Sequence, residues 1–156
     1  MYAMEGADVA IVYLPKEEED AQATKELVTK AGCKCLLLPF DLSVEANCKS
    51  VVDKTLEEYG KIDILVRSID LRTWAPRPQL QVNNAAVQDT GSLEDTSFEK
   101  LEEHFRVNVF AQFILAKLCV PHMPPGSSII NTTSITAYQV GGLCSVCVQH
   151  LVFMHA

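Results

Sequence analysis

The chain alternates between short apolar runs rich in β-branched residues and longer stretches whose apolar residues recur at helical spacing, at about 25 to 30 residues per unit. Few folds accept that rhythm. Asp8-Val9-Ala10-Ile11-Val12-Tyr13-Leu14 is one such run, stopped by Pro15. Successive strand residues face opposite ways, so an unbroken apolar run implies burial on both faces, which is the condition of a parallel sheet between helical layers. The segment 16–31 opens on Glu17-Glu18-Glu19-Asp20, acids that suit a helix N-terminus, spaces Ala23, Leu27, Val28 and Ala31 along one face, and ends at Gly32. Cys33 to Phe40 is a second buried strand. Asp41-Leu42-Ser43 then leads into a helix in which Val44, Val51, Val52, Leu56 and Tyr59 recur before Gly60. Ile62 to Val66 is a third strand. A long helical pattern follows from Thr96 to about Val120, capped by Thr96 or Ser97 and carrying Phe98, Leu101, Phe105, Val109, Phe113, Leu115 and Ala116. Pro121, Pro124 and Pro125 stop it, and Ser127 to Thr133 forms the last strand. The expectation is an α/β fold of right-handed βαβ crossovers with helices on both faces of the sheet.

Composition narrows the function classes. Thirteen Lys plus Arg against twenty Asp plus Glu give a net charge of −7, which lacks the basic footprint of a nucleic-acid or anionic-lipid binder. No uncharged apolar run reaches the roughly 18 residues of a membrane span. The first residues lack the charged start and apolar stretch of a signal peptide. Cys33, Cys35, Cys48, Cys119, Cys144 and Cys147 are scattered through periodic apolar segments, which suits reduced thiols and so a cytoplasmic protein.

Two segments break the rhythm. Residues 67–81 carry three arginines and two prolines where an apolar strand should continue, and proline cannot sit inside a central strand, so this piece must loop out or break it. Val66-Arg67 and Gln81 are compatible with GTA-AGA and CAG codons, the form of an intron's donor and acceptor, so the segment reads as an in-frame insert of that origin. The tail, residues 140–156, has no Lys or Arg and no helix caps, and no element is assigned to it. It does hold Cys144, Cys147, His150 and His155 at a spacing that zinc permits. The set lies within a dozen residues and lacks the second half of a folding unit, so an apolar peptide is the preferred reading and no metal is expected. His104 and His122 are isolated and read as surface or hydrogen-bonded histidines.

With the insert removed, the third strand reads Asp63-Ile64-Leu65 followed by Val82-Asn83-Asn84-Ala85-Ala86. This resembles the Asn-Asn-Ala-Gly motif of the short-chain dehydrogenase/reductase family. Asp41-Leu42 at a strand end, Val107-Asn108-Val109 in the long helix, and Ile129-Ile130-Asn131-Thr132-Thr133-Ser134 after the next strand agree with it in order and spacing. The stretch from Tyr13 to Ala21 is similar to the branch containing glucose/ribitol dehydrogenases and NADPH-dependent aldehyde reductases. The resemblance covers residues 1–139 apart from the insert. It implies an incomplete Rossmann-like, doubly wound parallel sheet, truncated at both ends, that binds NADP or NAD and acts on a small carbonyl or alcohol substrate.

The resemblance also implies roles for single residues. Asp41 would hydrogen-bond the adenine amino group and Leu42 would flank the ring. Asn83, Ala85 and Ala86 would shape the floor of the cofactor site, Ser134 would polarise the substrate oxygen, and Asn108 would hold a water that relays protons. NADP is favoured over NAD because Tyr13-Leu14-Pro15 ends its strand without an acid for a ribose 2′-hydroxyl. The long helix would pair with a copy of itself or of a homologue. The resemblance further implies a Gly-rich phosphate turn ahead of residue 1, and a Tyr and a Lys about a dozen residues beyond Ser134. No Tyr follows Tyr138 and no Lys follows Lys117, and Tyr138 lies too near Ser134 to substitute. The expectation is therefore an oxidoreductase by descent that is inactive in this form, with a non-catalytic partner of intact homologues or a poorly folded product as the alternatives.

Overall fold

The computed structural model of the chain describes residues 2–67 and 96–131. Residues 68–95 and 132–156, and with them most of the insert, the tail and its Cys and His residues, lie outside the described residues. The elements run β1 (Val9–Tyr13), α1 (Glu18–Lys30), β2 (Cys35–Pro39), α2 (Glu45–Tyr59), β3 (Ile64–Arg67), α3 (Phe98–Phe105), α4 (Ala111–Cys119) and β4 (Ser128–Asn131). Every strand expected from the sequence is present.

The strands form two parallel pairs. β1 lies beside β2 with Val9 opposite Cys35 and Tyr13 opposite Pro39, and β3 lies beside β4 with Ile64 opposite Ser128 and Arg67 opposite Asn131. Parallel neighbours need crossovers, and α1 supplies the one from β1 to β2. Gly32 and Gly60 close α1 and α2 with φ of +85° and +76°, values that a Cβ disfavours.

Burial on both faces of β1 follows the apolar run. Val9, Ile11 and Tyr13 pack with Ala3 and with Ala21 and Val28 of α1, whereas Val12 and Leu38 pack with α2, α4 and β3 through Val51, Val52, Leu115 and Leu65. Helices therefore cover opposite faces of β1 and β2, as a doubly wound sheet requires. α2 and α4 pack on each other, and α2 touches β2 while α4 touches β3, so this helical layer joins the two strand pairs.

Three helical faces differ from expectation. In α1 the buried residues are Ala21 and Val28, whereas Ala23 and Leu27 are exposed. Seven residues bring a helix back to almost the same angle, so Ala21 and Val28 share a line along the sheet, and Ala23 sits about 200° around from Ala21. In α2 Cys48, Val51 and Val52 are buried and Val44 is exposed. The long helix is a set of three pieces: α3, a π-helical turn from Arg106 to Phe110, and α4. Its buried line is His104, Val107, Ala111, Leu115 and Cys119, which leaves Phe98, Phe110 and Phe113 in solvent. Ser97 caps α3, its hydroxyl accepting the Lys100 N–H at 3.3 Å. β3 runs through Arg67, the first residue of the insert, which pairs with Asn131, so the break in the strand pattern comes after that residue.

Candidate functional site

In open α/β sheets ligands settle beyond the carboxyl ends of the strands, where the chain order reverses direction. Here α1 carries the chain from β1 to β2 on one side, and α2 returns it to β3 on the other side of β1. β1 and β3 face each other across a cleft of about 430 Å³ lined by Val9, Ala10 and Val12 of one and Ile64, Leu65 and Val66 of the other. β2 and β1 thus lie on one side of the cleft and β3 and β4 on the other, each pair parallel within itself. The reversal point is the cleft.

Asp41 stands two residues past the end of β2 and is exposed. One of its carboxylate oxygens accepts the Ser43 N–H at 2.8 Å, and its main-chain carbonyl accepts from the Asn47 amide at 2.8 Å. These bonds hold the loop in an Asx turn and fix the carboxylate at the surface beyond the sheet. Asp41 is not the cap of α2; that position belongs to Val44, which makes no side-chain cap bond. A carboxylate fixed there is an acceptor for an amino group.

Leu42 is differently placed. It is 3% exposed and lies in the main core cluster with Cys48, Val51 and Ala111, and the Cys48 thiol donates to its carbonyl at 3.5 Å. Its side chain anchors the Asp41 loop to α2 from below. Asn108 is half-buried in the π-helical turn. One residue more than an α-turn is accommodated there, which rotates the residues after it relative to α3, and such insertions concentrate at functional sites. Ala111, the first residue of α4, shares the core cluster with Leu42, so the turn that carries Asn108 and the loop that carries Asp41 rest on one set of side chains. Asn83, Ala85, Ala86 and Ser134 lie outside the described residues.

At the end of β1 the Tyr13 hydroxyl donates to the Glu18 carboxylate at 2.6 Å, and the Gln22 amide donates to the same carboxylate at 2.8 Å. Burial, reinforced by Glu18, pushes the Tyr13 hydroxyl up to about 12, and the Tyr13 and Gln22 donors hold the Glu18 carboxyl below its usual range. The sequence reading found no acid at this strand end; one arrives from the first turn of the next helix, and the helical spacing of an acidic run was the signal for it. His104 is the hydrogen-bonded case of the two that the sequence allowed. It is buried, with Nδ1 2.7 Å from the Lys100 carbonyl and Nε2 without a hydrogen-bond partner among the described residues. Nδ1 facing a carbonyl carries a proton and donates it there. Among the described residues no group of His, Cys, Asp and Glu is arranged to hold a metal ion, and no helix is long and apolar enough to cross a membrane.

Residues 1–147 match the profile of the family described as Enoyl-(Acyl carrier protein) reductase, a set of short-chain dehydrogenases. The chain is 41% identical over 144 residues to a glucose and ribitol dehydrogenase of Daucus carota and 39% identical over 144 residues to the chloroplastic NADPH-dependent aldehyde reductase 1 of Arabidopsis thaliana. In each case the match takes in 88% of this chain and 44% of the relative. The structure superposes on a short-chain dehydrogenase of Burkholderia cenocepacia J2315 in complex with NADP with a TM-score of 0.79 at 26% identity, over 94% of this chain and 53% of that one. The chain thus spans less than half the length of these two relatives by sequence and about half of the solved structure.

Proposed function

The chain belongs to the short-chain dehydrogenase/reductase family, and from that premise we propose that it holds the adenosine side of a nicotinamide-cofactor site in an oxidoreductase of carbonyls and alcohols. The observation that carries this reading is the surface-fixed Asp41 carboxylate beyond the carboxyl end of β2, which runs parallel to β1. A carboxylate there fits the amino group of an adenine, and the Leu42 anchor beneath it keeps the loop from retreating. NADP is the favoured form. Tyr13-Leu14-Pro15 offers no acid of its own, and the Glu18 carboxylate one turn on is already engaged by Tyr13 and Gln22. A homologue named as NADPH-dependent and a neighbour in complex with NADP support the same choice.

A bound nicotinamide coenzyme supplies or accepts the hydride in such chemistry. The chain's own residues would do the rest. Ser134 would steady the substrate oxygen, and Asn108, in its π-turn, would hold a water for proton relay; Asn83, Ala85 and Ala86 would form the cofactor floor. A proton donor to the reacting oxygen is the missing part, since residues 139–156 contain neither Tyr nor Lys. We therefore read the chain as an oxidoreductase by descent that does not turn over in this form. Its compartment on this reading is the cytoplasm, and no nucleic acid or membrane is among its partners.

Calorimetric titration with NADPH and NADH tests the reading. Binding that favours NADPH and is lost in Asp41→Ala is expected. Binding that favours NADH, or is unchanged in Asp41→Ala, overturns it.

A second reading rests on exposed aromatic side chains. Phe98, Phe110 and Phe113 are 74%, 52% and 53% exposed along the helix from residue 96 to 120, more apolar surface than one helix ordinarily leaves in water. It would pair with a second copy or with an intact homologue. Sedimentation of the Phe110→Ser/Phe113→Ser variant should give a smaller species than the parent, and an unchanged mass would rule pairing out.

A further inference from the structure

Two thiols share one face where β2 begins. Side chains two apart along an extended chain point the same way, and Cys33, Cys35 and Leu37 all pack against the cluster that holds Val9, Ile11 and Val28. Leu36 and Leu38 turn to the opposite face, toward α2 and α4. Both Cys33 and Cys35 are half-buried, whereas Cys48 and Cys119 are sealed in the core of that opposite face. Among the described residues no strand pairs with β2 except β1, so the pair stands at an edge of the sheet.

The two thiols are unequal. Cys35 sits inside the ladder, opposite Val9, and burial pushes its thiol up, with the Lys25 ammonium acting against the rise. A thiol kept protonated is a poor first nucleophile. Cys33 precedes the strand, next to Gly32 with its φ of +85°, and its thiol donates to the Ala3 carbonyl at 3.2 Å. A thiolate has no proton to donate and is repelled by a carbonyl oxygen. Once ionised, the Cys33 sulfur therefore leaves Ala3, and the face it shares with Cys35 is open to it.

Reach permits the two sulfurs to join. Residues two apart in a strand are separated by about 6.4–6.8 Å at Cα, and disulfides span separations up to about 6.8 Å. A bridge at that limit reopens readily with thiols. A metal ion is a poorer match, because among the described residues no third His, Cys, Asp or Glu joins the pair and zinc asks for four ligands.

We propose that Cys33 and Cys35 form a thiol–disulfide exchange site for a small disulfide of the glutathione class, with Cys33 attacking first and Cys35 resolving. The Cys33 thiolate attacks one sulfur of glutathione disulfide; that S–S bond breaks, a mixed disulfide forms on Cys33, and one glutathione leaves as its thiolate. The Cys35 thiolate then attacks the Cys33 sulfur and expels the second glutathione. The pair gives up two electrons and two protons, and the disulfide becomes two glutathione thiols. The site uses no residue of the Asp41 loop or of the long helix, so it operates whether or not a coenzyme is bound.

The test treats the folded full chain with glutathione disulfide at pH 8, blocks free thiols with N-ethylmaleimide, and cuts at glutamate for mass spectrometry. Residues 27–45 then form one peptide that holds Cys33 and Cys35 and no other cysteine. The expected result in the parent is a peptide two hydrogens lighter, carrying neither glutathione nor maleimide, and restored to two free thiols by reduced glutathione. Cys35→Ser should retain one glutathione on Cys33, and Cys33→Ser should react at Cys35 at least about tenfold more slowly. Cys48 should stay free of glutathione in the same samples, which reports that the chain is folded. The parent alone decides closure: a peptide that keeps glutathione without closing, or stays unmodified, overturns the proposal. Equal rates in the two serine variants, or reaction of Cys48 alongside Cys33, overturn it as well.

Discussion

Tyr59 joins elements fifty residues apart, and removing its hydroxyl should have a cost whose size and pH dependence are both fixed by the structure. The hydroxyl donates to the Val9 carbonyl at 3.0 Å, tying the last turn of α2 to the first residue of β1. In Tyr59→Phe the ring stays and only this bond goes. The Val9 carbonyl faces β2 and keeps its ladder bond there, so the variant creates no buried orphan and the loss is that of one net hydrogen bond, about 1 kcal/mol. For a domain of this size that lowers Tm by about 3 to 5 °C. Burial, then the neighbouring Cys35, Asp8 and Glu58, pushes the Tyr59 hydroxyl up to about 12. A folded-state value above the ordinary 10 means that the unfolded chain gives up this proton first. The hydroxyl's contribution is then complete below pH 10 and is lost as pH rises from 10 toward 12. Urea unfolding of parent and variant at intervals from pH 7 to 11.5 should show a gap of about 1 kcal/mol that is constant to pH 9.5 and then closes. A parent and variant of equal stability at pH 7, or a gap that persists undiminished at pH 11.5, would refute the reasoning.

Other perturbations follow from the same packing. Leu38 is 1% exposed between β1 and the α2–α4 layer, so Leu38→Ala should lose about 2–5 kcal/mol in urea unfolding; a loss under 1 kcal/mol would mean that this core is not close-packed. Cys48 and Cys119 are buried and burial pushes the Cys48 thiol up, whereas Cys33 is partly open to solvent. Iodoacetamide at pH 8 followed by peptide mass mapping should label Cys33 in the folded chain and Cys48 only after unfolding, and equal labelling would contradict the fold around α2. Deleting residues 66–81 rejoins Ile64-Leu65 to Val82-Asn83 and replaces Val66 in β3 by another valine. The shortened chain should melt higher than the parent, and a lower Tm would show that the segment is integral to the sheet.

The strands and their parallel order were legible because apolar runs such as Val9–Tyr13 leave no solvent face, and burial on both sides permits little else. Helix rotation was harder to read. Leu27 and Phe113 are as apolar as Val28 and Leu115, and periodicity alone offers both lines of residues to the core; contact with the sheet selects one. The π-turn from Arg106 to Phe110 left no trace in composition, because a hydrogen-bond register shifted by one residue changes no residue type. For the site, Asp41 was legible through its place after an apolar strand, but Leu42 beside it points into the core, a distinction that only the alternation of buried and exposed positions around the loop reveals. Glu18 was hidden for the opposite reason. It reaches the end of β1 across a turn of helix, and the strand's own residues give no hint of it.

The measurement closest to the central claim is a turnover assay of the purified chain with NADPH and with NADH, over a panel of aldehydes, and with NADP or NAD over glucose and ribitol. On the proposed reading, with no Tyr beyond Tyr138 and no Lys beyond Lys117 to move the proton, loss of general acid–base catalysis alone removes about 10²–10⁴-fold. The expected result is no coenzyme oxidation or reduction above the protein-free rate. Turnover with any of these substrates that disappears in Ser134→Ala would contradict the account, because another residue of this chain would then be supplying the proton.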